Sequence, residues 1–231
     1  MEKTIRFLPK DIPYLIAAFL SEEQQKAYED AVRHFKNERA RNVLNVPRNG
    51  SNLFKVLLLN QIGIRTVTLS ELDQIVQADR DFLTGTFEDA PSVALRSNGD
   101  SYEPNDYLAK YLSRLIRKRK FREPVVINGL GLKEDPHSPY GLSFNAKRLD
   151  FFEAPELNHK NNHRRFKVLD KRGMPVFDDS GNRILYTRDS GLSRLYLGGD
   201  LYLDSNSGSL AVSYGDGRVV VVSAEGTSPK K

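Results

Sequence analysis

The chain has 231 residues, 39% of them hydrophobic and 28% charged, with a net charge of +5, a pI near 9.3 and no cysteine. That much apolar material excludes wholesale disorder, and the missing thiols exclude disulfide stapling, cysteine catalysis and cysteine-based zinc sites. The basic balance permits an acidic partner, nucleic acid or an anionic membrane surface without requiring one.

Met1 to Lys10 lacks the apolar core of a cleaved signal peptide, and the apolar run Tyr14 to Leu20 is too short to cross a bilayer. These features point to a soluble chain, virion-associated or cytoplasmic, with no membrane insertion. Ser21 followed by Gln24 is a capping-box pattern, and Tyr28, Ala31, Val32 and Phe35 recur at helical spacing behind it. Arg41 to Asn52, with Pro47 and Gly50, reads as a loop. Leu53 to Ile62 is apolar and fits either a short helix or a buried strand. Ser70 and Asp73 suggest a second helix start, with Leu72, Ile75, Val76 and Leu83 facing inward and Gly85 closing it.

A boundary is expected near Gly85 to Pro91. It separates a mainly helical region, residues 1–87, to which no role is assigned, from a second domain, residues 88–231. In the second part, Ser92 to Arg96 is a short strand. Asn105 or Asp106 can cap an amphipathic helix with the stripe Tyr107, Leu108, Tyr111, Leu112, Leu115 and Ile116. Val125 to Asn128 follows as a strand. Beyond it no helix is expected; Phe166 to Leu169, Arg183 to Thr187 and Arg218 to Ser223 are β-like, and Lys171-Arg172-Gly173 and Asp179-Ser180-Gly181 are turn signals. Helices early and strands late give an α+β fold class.

The stretch Arg188 to Ser223 differs in kind from its surroundings. It holds no Lys, Glu, Gln or Met and is built from Tyr, Ser, Gly, Asn and Asp around regularly placed leucines. Tyr supplies large contact area at low entropic cost and the small polar residues supply adaptable hydrogen bonds, as in a paratope. Leu195, Leu197, Leu201, Leu203, Leu210 and Ala211 read as buried anchors. Gly198, Gly199, Asp200, Tyr202, Asp204, Asn206, Ser207, Gly208, Ser209, Val212, Tyr214, Gly215 and Asp216 lie between them as candidate ligand-binding positions. Tyr202 and Tyr214 are the natural aromatic anchors for a ligand, with Asp200, Asp204, Asn206 and Asp216 as polar readers; Tyr196 fits either role. Val219 to Val222 reads as a strand through a core.

On Ser190-Gly-Leu-Ser-Arg-Leu-Tyr-Leu197, Leu201-x-Leu203-x-Ser205, Leu210-Ala-x-Ser213 and Gly217-Arg-Val-Val-Val-Val-Ser223, the sequence resembles the variable proteins of diversity-generating retroelements, in particular those of archaeal viruses and small archaea. The resemblance covers about the last 35 residues. It implies a C-type-lectin-like domain with a variable repeat at the C-terminus, here about 188–223. It also implies randomisation of asparagine codons by adenine-directed miscopying, which reaches Tyr, Gly, Asp, Ser, Val and Asn but not Lys, Glu, Gln, Met or Trp. Every interleaved residue named above obeys that restriction. The expected function is non-enzymatic binding of a protein or cell-surface ligand.

The same Gly/Ser/Asn/Asp composition with paired leucines also occurs in ordinary β-rich binding loops. Arg114 to Arg122 is a basic cluster, and with His163-Arg164-Arg165 it supports the alternative of nucleic-acid binding; the simpler reading is cations gathered at a helix C-terminus. His159 and His163, with Glu156 before them, have helical metal-ligand spacing, but Asn158, Asn161 and Asn162 argue against a helix. Asp204-Ser-Asn206-Ser-Gly208 lacks the closing glutamate of a calcium loop, and Asn128-Gly-Leu-Gly131 lacks the third glycine of a dinucleotide fingerprint. No metal, cofactor or catalytic residue is therefore expected.

Overall fold

A computed structural model describes residues 4–7, 15–45, 51–146, 149–211 and 217–224. The first elements are strands β1 (Thr4–Phe7) and β2 (Leu15–Phe19), then helices α1 (Glu22–Arg33), α2 (Glu38–Leu44), α3 (Asn52–Gln61) and α4 (Leu69–Ala78). The Ser21–Gln24 capping box opens α1 as expected, with reciprocal bonds of 3.3 and 3.0 Å. Part of the expected loop Arg41 to Asn52 is helical: Asn37 caps α2 through Arg39 and Ala40, and Ala40 and Leu44, four apart, are both buried. Pro47 and Gly50 lie outside the described residues. The ambiguous run is α3, whose Asn52 to Leu59 are all buried. It is buried nearly all round because α1, α2 and β-structure surround it, and its two buried polar residues, Asn52 and Lys55, bond to Arg218 O and Gln25. Thr68, not Ser70, caps α4, in a second capping box with Glu71.

Strand β3 (Phe87–Leu95) starts five residues before the expected Ser92. Helix α5 (Glu103–Leu115) follows. Asn105 and Asp106 do not cap it; Tyr102 stands at the cap without a side-chain bond and Pro104 holds the first turn. Asn105 is instead wholly buried and donates to the carbonyls of Leu192 (3.2 Å) and Gly208 while accepting from the Tyr140 hydroxyl at 2.6 Å. Then come β4 (Val125–Asn128), β5 (Gly131–Glu134), β6 (Leu142–Asn145), β7 (Asp150–Glu153), β8 (Arg165–Leu169), β9 (Pro175–Phe177), β10 (Arg183–Thr187), β11 (Leu192–Leu197), β12 (Leu203–Ser205), β13 (Gly217–Arg218) and β14 (Val220–Ala224). Beyond α5 the helical pieces among the described residues are short 3-10 turns.

The fold is α+β, with one large mixed sheet in the order β7-β4-β3-β11-β12-β10-β8-β9 and β13 alongside β3. Its pairs are antiparallel except β10 with β12 and β13 with β3. Two apolar clusters occupy its two sides. One joins α3 and α5 to Val93, Leu95, Ile127 and Leu192; the other joins α4 to Ala94, Val126, Leu185, Leu195, Leu197 and Leu203. Both clusters draw on residues from either side of position 87.

The expected core strand Val219 to Val222 is buried but does not belong to the large sheet. It pairs antiparallel with β2, in a separate sheet β1-β2-β14, and meets only a single bridge, from Thr66, on its other side. Val219 and Val221 face one cluster and Val220 and Val222 the other. Residues 92–223 therefore do not complete a core alone, since the partner of β14 is the N-terminal strand β2. No helix among the described residues is long and apolar enough to cross a membrane.

Candidate functional site

The interleaved segment begins in the middle of the large sheet. Every residue of β11 is buried because both its faces are covered: Leu192, Arg194 and Tyr196 turn to one side, Ser193, Leu195 and Leu197 to the other. Leu195, Leu197, Leu201, Leu203 and Leu210 are each 0% exposed, and Ala211 is partly buried against the α3/α5 cluster. The residues between them are placed otherwise. Asp200 and Asn206 are exposed; Gly199, Tyr202, Asp204, Ser207, Gly208 and Ser209 are half-buried; Gly198 is buried. Val212, Tyr214, Gly215 and Asp216 lie outside the described residues.

A tight turn links β11 to β12. Gly198 N–H donates to Tyr202 O at 2.9 Å and Leu201 N–H to Gly198 O at 2.6 Å. Leu201 adopts φ +64 in this turn, an unusual region for a leucine, and its carbonyl accepts the Arg183 Nε–H at 2.7 Å. Arg183 is itself buried and ion-paired with Asp73 of α4, so the turn is fastened to the core helix. After β12, the Asp204 carboxylate accepts the backbone N–H groups of Asn206 (2.8 Å) and Ser207 (3.0 Å). That folds the chain over Asp204, and the oxygen a calcium loop would use is occupied by its own backbone.

Register places one line of side chains across the sheet. Tyr186 pairs with Asp204, Asp204 with Tyr196, and Tyr196 with Asp89, so all four share a face. The line runs from half-buried Tyr186 and Asp204 to buried Tyr196 and Asp89. Above it the rings form a ladder. Tyr202 stands edge-on to Tyr186 at 5.1 Å and to Tyr196 at 6.4 Å; Tyr196 meets Phe87 at 5.7 Å, and His163 meets Tyr186 at 5.5 Å.

Arg194 closes the buried end of this line. It lies 4.5 Å from the Tyr196 ring centroid and 3.3 Å from the Asp89 carboxylate. Burial pushes the Asp89 carboxyl up and Arg194 pulls it back; burial, with Asp204 nearby, raises both Tyr196 and Tyr202. Tyr196 is thus scaffold, and Tyr202 is the aromatic offered to solvent.

The glycines differ in what they tolerate. A Cβ at Gly199 would meet nothing nearer than 3.7 Å, so a side chain can start there without displacing a neighbour. At Gly208 it would come 2.7 Å from Nη1 of Arg188, whose guanidinium is ion-paired with Asp100, so that side chain would have to shift. At Gly198 it would run into the Tyr202 ring.

The other candidates fall apart in space or stay on the surface. Glu156 is ion-paired to Arg172 at 2.8 Å, His159 sits in a 3-10 turn with Nδ1 3.3 Å from Thr187 O, and His163 stands edge-on to Tyr186. Among the described residues no three His, Asp or Glu gather to hold a metal ion. In the basic cluster Arg114, Arg117, Arg119, Lys120 and Arg122 are exposed and Lys118 pairs with Glu153.

Two members of the candidate surface, Tyr186 and His163, lie outside the segment that composition singles out. Only the parallel β10–β12 pairing brings Tyr186 beside Asp204, and a single sequence holds no local signal for such a pairing. No family model, no curated protein and no solved structure matches this chain.

Proposed function

We propose that the chain is a non-enzymatic binding protein that presents Asp200, Tyr202, Asp204, Asn206 and Ser207, with Gly199 and Gly208, as exchangeable ligand contacts on a rigid α+β scaffold; Ser209, expected among them, turns its hydroxyl inward instead. The carrying observation is the split in burial along one short stretch. Five leucines are fully buried while most residues between them reach solvent. Such a stretch accepts new side chains at its open positions without puncturing the core. The likeness of its motifs to retroelement variable proteins supports the same reading and, with it, a C-type-lectin-like assignment for the fold and diversification by templated miscopying. Val212, Tyr214, Gly215 and Asp216 complete the proposed set by sequence. The chain would then take a protein or cell-surface ligand, with Tyr202, flanked by Tyr186, as the aromatic contact.

The experiment is a library randomised at positions 199, 200, 202, 206 and 207, scored for folded, protease-resistant display and then panned on a set of unrelated proteins. Most members should stay folded, and specific binders should emerge whose affinity is lost when position 202 reverts to alanine. A library that is mostly unfolded, or folded but never yielding binders, refutes the proposal.

A further inference from the structure

Below the display segment a small cavity of about 90 Å³ opens between the β3 end, the loop before β4, the 3-10 turns after β7 and the loop after β10. Three guanidinium residues line it, Arg96, Arg122 and Arg188, with Asn158 and His159 and with two carboxylates, Glu123 and Asp189. Arg96 is the unusual member. It is 93% buried (7% exposed) and makes no carboxylate ion pair among the described residues.

Its partners are all neutral hydroxyls: Ser193 at 2.9 Å, Thr187 at 2.8 Å and Ser205. Thr187 has already spent its own proton on Leu157 O, at 2.7 Å. A guanidinium offers five N–H donors, and three acceptors leave two over. One of these, Nε, is buried with no partner among the described residues. Burial and then the neighbouring Arg188 push the Arg96 guanidinium down, to about 9, against the pull of Asp204, Asp189 and Asp100. A buried charge normally demands a charged partner, and neutral hydroxyls do not supply one.

Among the described residues none of the carboxylates around the cavity is ion-paired to Arg96, and the two that line it, Glu123 and Asp189, have neutral hydrogen-bond partners that leave their charge uncancelled. Arg188 pairs with Asp100 at 3.2 Å, Asn158 donates to Glu123, and Asp189 accepts from the Ser190 hydroxyl at 3.2 Å. The volume suits one small ion or a few waters. We propose that this cavity is a binding site for a small tetrahedral oxyanion, a phosphate or sulfate group, held by Arg96, Arg122 and Arg188. Guanidinium forks match such oxygens two at a time.

The site is independent of what the display face binds. It is nevertheless joined to that face, because Arg96 holds Ser205 of β12 and the Arg188 guanidinium lies next to Gly208. The anion would complete a brace beneath the exchangeable residues.

The test uses the full chain at constant ionic strength, with inorganic phosphate, sulfate, acetate and chloride as probes, read by thermal melts and isothermal titration. Phosphate or sulfate should raise the melting temperature by several degrees, about the shift mass action gives at a large excess over Kd. Acetate and chloride should not. Arg122→Ser, an exposed site that leaves folding intact, should weaken phosphate binding about tenfold, the loss of roughly one charge-assisted hydrogen bond. Asp189→Asn should tighten it. Phenyl phosphate binding as well as phosphate assigns the site to the terminal group of a larger ligand, and its exclusion assigns it to the free ion; either supports the proposal. No response of the parent protein to phosphate or sulfate, or an Arg122→Ser protein that responds like the parent, overturns it.

Discussion

Gly198 and Tyr202 are coupled, and the coupling has a size that can be measured. Gly198 lies outside the positive-φ region, so alanine there costs nothing in backbone conformation. The cost comes from the new Cβ, which would occupy the space of the Tyr202 ring. To make room the ring must leave its edge contacts with Tyr186 at 5.1 Å and Tyr196 at 6.4 Å. Each such pair is worth about 0.5–1.5 kcal/mol, so Gly198→Ala should destabilise the parent by about 1–3 kcal/mol. In a Tyr202→Ser background the ring is gone, and the same alanine should cost under about 0.5 kcal/mol. The double-mutant cycle should therefore give a coupling energy of about 1–2 kcal/mol. Urea unfolding of the four proteins, with midpoints compared at constant slope, reads it directly. Equal cost of Gly198→Ala in both backgrounds would show that the ring is not what excludes a side chain at 198.

Leu197→Ala and Leu203→Ala should each cost about 2–5 kcal/mol in the same assay, while Asn206→Ser should stay within about 0.5 kcal/mol; similar values for the two sets would erase the distinction between anchors and displayed residues. Ser209 Oγ is buried without a partner among the described residues, so Ser209→Ala should be neutral or stabilising in thermal melts, and a loss above about 1 kcal/mol would contradict that placement. Lys55 is held down to about 8, mainly by burial, with Glu29 acting the other way. Because the folded value lies below the unfolded one, the unfolded chain binds more protons between about pH 8 and 10.5, and stability should rise with pH across that window. Lys55→Met should abolish the rise and add about 2 kcal/mol at pH 7 after loss of the 2.7 Å bond to Gln25; an unchanged slope between pH 7.5 and 10 refutes the assignment.

What the sequence made legible was local. The Ser21 box, the α5 stripe and the alternation of leucine with small polar residues each rest on contacts a few positions apart, and each is present in the fold. Errors came where a distant partner decides. Asn105 looks like a cap, yet its amide is drawn into the core by Leu192, Gly208 and Tyr140, up to 103 positions away. The Val219 to Val222 run was legible as buried, but nothing near it names β2 as its partner. Asp204 reads as a free polar contact, whereas its carboxylate is half spent on the turn that follows.

The pairing of β14 with β2 has a consequence for how such a segment tolerates rewriting. The strand that pairs with the β1–β2 hairpin is synthesised only after the whole interleaved stretch has been read, some 200 residues after its partner. A slip of reading frame anywhere between 188 and 219 replaces Val220 to Val222 and leaves Ala17 and its neighbours without the strand that covers them. Folding then acts as a proofreader of translation: in-frame substitutions at open positions pass, and copies that lose the frame never close. The last strand thus reports that the stretch before it was read in register.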